Sequence, residues 1–215
     1  GVAHLAYDAP GGLGYRTLGR DGALGPEALI EAGADASHAD LAIDLNGQPV
    51  VVFRKAGNVP SLRYAARETD GTWRLETIDD GLELGNAVGR HGVVLVGPDG
   101  VVNVVYQDEN AGDVKHARRN GNGWTRAYVA TSGVAGDSLA AAFGADGTLH
   151  AVFGVDGIGT HAAWNGTRWT LTPIEGTEFA SSDRPSGAMV VDARGRIIAG
   201  YRADANREHF SLLDL

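Results

Sequence analysis

An all-β fold assembled from repeated small sheets is predicted by three features of this 215-residue sequence. The first is composition: glycine is abundant at 32 residues, proline modest at 7, and aromatic residues make up only 7%. That profile suits many short strands joined by tight turns rather than long helices. The second is turn chemistry. Asn46-Gly47, Asp99-Gly100, Asp146-Gly147 and Arg194-Gly195 each separate two apolar runs, and Asn-Gly and Asp-Gly tolerate positive φ in two-residue hairpins. The third is periodicity. A ring closes the second run at Tyr7, Phe53, Tyr106, Phe153 and Tyr201, a spacing of roughly 46 to 53 residues that matches β-propeller blades.

The repeat accounts for the strands in chain order. Residues 2–7 and 13–15 enter mid-repeat, as a second and a third strand. Residues 40–53 hold the first two strands of the next unit, 62–67 its third, and Trp73 opens its fourth. Residues 93–106, 114–118 and Trp124 repeat this order, as do 138–153, 160–164 and Trp169. A last unit begins at 186–201 and ends with 209–215. The expectation is a propeller of four-stranded antiparallel blades, about five of them represented. The first lacks its innermost strand and the last its outermost. They form one domain over 1–215, with repeats at approximately 1–37, 38–85, 86–136, 137–183 and 184–215. Third strands carry a ladder of Tyr15, Tyr64, His116, His161 and Phe210. One large ring per unit, together with the tryptophans, fills the wedge between twisted neighbouring sheets. His4 and His150 share a second-strand position with Val50, Asn103 and Ile198, and so read as packed residues. Closed propellers ordinarily join both termini in one composite blade. Two strands are unaccounted for here, so a missing segment or a partner chain is expected to complete the ring.

The segment Gly112-Asp-Val-Lys-His-Ala-Arg118 follows an Asp99-Gly100 turn and Tyr106 and precedes Trp124. This order resembles a propeller repeat common in bacterial secreted proteins. The repeat is similar to the Asp-box propellers of sialidase-like and lectin-like proteins. The resemblance implies a bacterial extracellular or cell-envelope location and leaves function open, since propellers host many activities.

Composition narrows the partners. A net charge of −9 argues against nucleic acid, which demands clustered positive charge. No stretch approaches the roughly 18 apolar residues of a membrane helix, so no membrane insertion is expected. The chain has no cysteine, which excludes disulfides and thiolate chemistry.

A site belongs on the face where loops between strands 2 and 3 meet loops between blades. The candidates there are His38, Asp40, Arg54, Arg90, His91, Asp137, Asp183, Arg184 and Arg202. Just ahead of innermost strands, His38 and His91 would lie near the central channel, where a carboxylate from Asp40, Asp137 or Asp183 could join them in acid–base or metal chemistry. No cofactor is expected. Calcium is the one weak candidate, through Asp108, Glu109 and Asp113, whose spacing departs from a dedicated calcium loop. Asn165-Gly166-Thr167 forms a glycosylation sequon.

Packing and turn residues repeat from blade to blade while loop residues do not. The leading expectation is therefore a non-catalytic binding or scaffold propeller that recognises a glycan or a protein through its loop face. The alternative is a glycan-active enzyme, a sialidase-like hydrolase or polysaccharide lyase, with its site in the central funnel. Arg90, Arg184 and Arg202 could converge there, and a two-carboxylate mechanism would need carboxyls about 5–10 Å apart. A third reading is a structural subunit of a larger envelope assembly.

Overall fold

The computed structural model describes residues 1–33, 35–82, 85–178, 188–192, 194–204 and 207–213, with side chains except at 35–37, 175, 176, 178, 201–204 and 207–213. Five antiparallel sheets follow one another along the chain. The first is β1 (Ala3–Ala9), β2 (Gly12–Leu18) and β3 (Ala28–Ala32). The second is β4 (Asp35–Ile43), β5 (Pro49–Lys55), β6 (Ser61–Arg67) and β7 (Trp73–Asp79). The third is β8 (Val88–Val96), β9 (Val102–Asp108), β10 (Asp113–Asn120) and β11 (Gly123–Ala130). The fourth is β12 (Ala135–Phe143), β13 (Leu149–Val155), β14 (Ile158–Trp164) and β15 (Trp169–Glu178). The fifth is β16 (Ala188–Val191), β17 (Ile197–Asp204) and β18 (Arg207–Leu213).

Each sheet is a meander in sequence order, and β4, β8, β12 and β16 lie side by side as innermost strands. β1 lies against β4 as β5 lies against β8, so it occupies a second-strand position. This is the all-β propeller that the sequence predicts, with three, four, four, four and three strands per sheet.

The packing explains why second strands read as unbroken apolar runs. Val50 and Val52 on β5 face the third sheet, while Val51 and Phe53 face the first. A strand buried on both faces loses the polar alternation of a solvent-facing one. Every hydrophobic cluster accordingly joins two consecutive sheets. The rings lock these interfaces in a fixed order. Tyr15 meets Trp73 of the next sheet edge-on at 5.1 Å, Tyr64 meets Trp124 at 5.1 Å, and His116 meets Trp169 at 5.4 Å. His4 and His150 reach sideways within their own sheets: His4 Nδ1 lies 2.6 Å from Tyr15 Oη and His150 Nδ1 lies 3.0 Å from His161 Nε2.

The turns differ from the expectation. Gly100 N donates to Gly97 O and Gly97 N donates to Val101 O, which makes a three-residue loop rather than a two-residue one. Among its residues only Gly100 has positive φ, at 77°. The preceding Asp99 stays right-handed and uses Oδ1 to accept Val101 N at 3.0 Å. A type I turn closed by a left-handed glycine has this pattern. Asp146 holds the equivalent turn in the same way, while Asp44 and Asp192, at the residue before the loop, each accept from two backbone N–H groups of their own turns.

Candidate functional site

The innermost strands are not regular. Pairing with the second strands breaks register between Asp35 and Asp40, between Val88 and Val93, and between Ala135 and Ala140. His38, His91 and Ser138 therefore occupy one equivalent position in three blades, each within a bulge. His91 and Ser138 adopt left-handed φ of 50° and 53°, a conformation that non-glycine residues adopt only under external constraint. Bulges re-aim side chains and favour functional rims.

In two of the three bulges the residue two positions earlier is a glycine, whereas Ala36 stands at that position before His38. Gly136 has φ 111°, and a Cβ there would come within 2.8 Å of Gln107. Gly89 is its counterpart, with φ 97° and Leu62 at 3.1 Å. Gly136→Ala is expected to cost about 1–3 kcal/mol. Urea unfolding checks this, and an unchanged midpoint would mean that the bulge relaxes freely.

This geometry corrects the placement of five candidates. His38, Asp40, Arg90, His91 and Asp137 sit inside innermost strands, not in loops ahead of them. The bulge extends each strand beyond the apolar run that marks it in sequence. His38, Asp40 and His91 do converge. With Leu139, Ala188 and Met189 they line a channel cavity of about 360 Å³. The rings of His38 and His91 meet edge-on at 5.6 Å. Asp137 is buried next to the bulged Ser138, and Arg90 is half-buried next to His91.

Asp40 is anchored by backbone of the neighbouring blade. Its Oδ2 accepts Val94 N of the neighbouring blade at 2.8 Å, and burial pushes its carboxyl upward against that hydrogen bond. Arg54 donates to Glu109 of the neighbouring blade at 2.9 Å. Asp183 and Arg184 lie outside the described residues, as does the side chain of Arg202.

Two of the three carboxylates considered for calcium, Asp108 and Glu109, have other partners. Asp108 is fully buried and takes Lys115 Nζ at 2.7 Å, Asn86 Nδ2 at 3.1 Å and Ala111 N at 3.3 Å. Glu109 holds Arg54. Among the described residues no group of three or more His, Asp or Glu side chains is arranged to hold a metal.

The chemistry centres on His91. Its side chain is 2% exposed. Nδ1–H donates to Gly136 O at 3.2 Å, and a carbonyl has no proton to give back. The other nitrogen, Nε2, is thereby fixed as a bare lone pair. It has no hydrogen-bond partner among the described residues. Burial, followed by the Arg90 charge, holds the imidazole below its ordinary range, so it is neutral near pH 7. His91 is a candidate by position in the sequence, while the cue beside it that separates it from His38 goes unused there. That cue is the glycine two residues upstream, present in both Gly89-Arg-His91 and Gly136-Asp-Ser138.

The fold places the chain among β-propeller proteins. No family model matches the sequence, and no curated protein does. Solved structures do resemble it. A Dyadobacter fermentans protein of unknown function superposes with TM-score 0.62 at 14% identity, over 94% of this chain and 67% of that one. An endo-arabinase from Bacteroides thetaiotaomicron gives TM-score 0.56 at 12% identity, over 99% and 88%. A six-bladed fucose-recognising lectin from Aleuria aurantia gives TM-score 0.56 at 15% identity, over 100% and 78%. At these identities the likeness speaks for the fold alone.

Proposed function

We propose that this chain is a non-catalytic binding propeller, acting outside the bacterial cell or in its envelope, that takes a glycan at the channel end of its loop face. The single observation that carries the reading is the buried, partnerless Nε2 of His91 on the cavity wall. A buried acceptor left unmade costs about 1–3 kcal/mol, and a sugar hydroxyl is a donor of the right kind to satisfy it. The left-handed backbone at His91 supports the reading, because strain of this sort persists where a side chain must be aimed. The fold is shared with a lectin and with a glycan-degrading enzyme.

A glycan-array screen on wild type and His91→Asn tests this. Asparagine tolerates the left-handed backbone and removes Nε2. The expected result is saturable binding weakened at least tenfold in the variant. Failure of every glycan to bind the wild type would overturn the reading in favour of a protein partner.

The enzyme reading keeps one specific support. Asp40 is a buried carboxyl with a raised pKa on the same cavity wall, the pattern of a general acid. Turnover of a bound glycan, abolished by Asp40→Asn, would establish it. Binding without turnover sets it aside.

A further inference from the structure

On the opposite face, the cleft between the third and fourth sheets is built differently from its neighbour. Matching hairpin closures and strand pairings align Leu45 with Pro98, Val50 with Asn103, Ala66 with Arg118, and Arg119 with Trp164. Between the second and third sheets these positions close the gap. Leu45 lies against Gly100, where an added Cβ would meet it at 2.9 Å. Arg119 is held on both Glu76 oxygens at 2.9 Å and lies over Tyr64 at 5.4 Å. Between the third and fourth sheets the same positions leave a cleft of about 460 Å³, within the usual size of small-ligand pockets.

Its lining combines an aromatic wall with hydrogen-bonding groups of both kinds. Trp164 and Phe143 form the wall, and Trp164 is braced edge-on by His116 at 5.4 Å. On the rim Arg118 donates to Asp99 at 2.8 Å, with side chains 45% and 53% exposed. An ion pair so exposed contributes little and exchanges partners readily. Asn165 on the same rim uses Oδ1 to hold its own turn, through Thr167 N, Thr167 Oγ1 and Arg168 N. Its amide N–H groups remain available as donors.

We infer that this cleft is a second binding site, for one neutral sugar residue. The sugar's C–H face would stack on Trp164 while its hydroxyls accept from Arg118 and Asn165 and donate to Asp99. A stacking face plus paired donors and acceptors is the complement of a polyol ring, and the balance of charge on the rim disfavours an anion. The inference extends the glycan-binding reading to a separate site and does not depend on His91.

Titration of 15N-labelled protein with methyl glycosides of a hexose, a deoxyhexose, a pentose, an N-acetylhexosamine and a uronic acid tests it. The Trp164 indole N–H, assigned with Trp164→Phe, reports the cleft, and the His91 imidazole reports the channel. A neutral glycoside is expected to shift the Trp164 signal saturably. Arg118→Ala and Asp99→Ala, both at exposed positions, should weaken that shift at least tenfold, while His91→Asn leaves it unchanged. An unmoved Trp164 signal would overturn the inference whatever the His91 signal does, and so would a response to the uronic acid alone. A moving Trp164 signal with a silent His91 would instead remove the channel reading and keep this one.

Discussion

Lys115→Met is expected to remove about 3–5 kcal/mol of stability, the cost of leaving a buried carboxylate without its counter-charge. Lys115 sits between two nearly inaccessible acids, with Nζ 2.7 Å from Asp108 Oδ2 and 3.6 Å from Asp79 Oδ2. Asp79 has further support from Tyr106 Oη at 2.8 Å, Arg126 at 2.9 Å and Gly81 N at 3.0 Å. Among the described residues Asp108 has only Asn86 and Ala111 besides the lysine, so it bears the loss. Burial works against the ammonium, but the two carboxylates outweigh it and hold the lysine above its ordinary range. The group is therefore charged at any physiological pH. Denaturant unfolding gives the measurement. Adding Asp108→Asn should restore at least half of the lost stability, since neutralising both partners avoids a lone buried charge. A single-variant cost below about 1 kcal/mol would show that water reaches Asp108 and that the lysine is dispensable.

Acid should weaken the fold well before the bulk of the carboxylates titrate. His116 and His161 are nearly inaccessible, and burial holds both imidazoles down to about 4. The Arg118 charge adds to this at His116 and His150 adds to it at His161. The unfolded chain takes up these protons near the ordinary histidine value of about 6.5, while the folded chain refuses them until about 4. Between those limits the unfolded state binds more protons, so stability falls as pH drops. The full loss is on the order of 3 kcal/mol per histidine once both limits are passed. At about 2–4 °C per kcal/mol for a chain of this size, melting should fall by roughly 10 °C or more between pH 7 and pH 4. Tyrosine holds the same ladder position at Tyr15 and Tyr64, and Tyr15 already bonds a second-strand histidine there. The double variant His116→Tyr, His161→Tyr should therefore fold and lose most of this acid sensitivity. An equal fall in the double variant would assign the acid response to other groups.

The blade order and the strand count were legible because one physical demand recurs. Strands buried on both faces must be apolar throughout, and each inter-sheet wedge must hold a ring. Tyr7, Phe53, Tyr106 and Phe153 announce that demand in any reading of the sequence. The hairpins were legible as turns but not as to type, because Asp99-Gly100 suits either a two-residue loop or a type I turn closed by glycine. The site was half legible. His38, Asp40 and His91 meet at the channel, yet the bulges that carry them leave no apolar signature. A bulge is a break in register between two strands and shows only once those strands are paired. Arg54 was lost to Glu109 for a related reason, since the partner comes from another blade, 55 residues away. The cleft beside Trp164 was hidden more deeply. Pro98, Asn103 and Arg118 look like ordinary variation until they are set against Leu45, Val50 and Ala66 in the neighbouring interface.

The stepwise interlocking of third-strand rings with the tryptophan of the following sheet has a thermodynamic corollary. Each cluster joins one sheet to the next and goes no further, so free energy is transmitted along the chain only from neighbour to neighbour, as in a one-dimensional array. Disturbance of one interface should fade over a blade or two rather than spread through the whole molecule. A ligand in the channel would be the exception, because the cavity is lined by four innermost strands and its occupant would span interfaces that otherwise communicate only neighbour to neighbour. Occupancy there would convert a string of separately cooperative units into a single cooperative body.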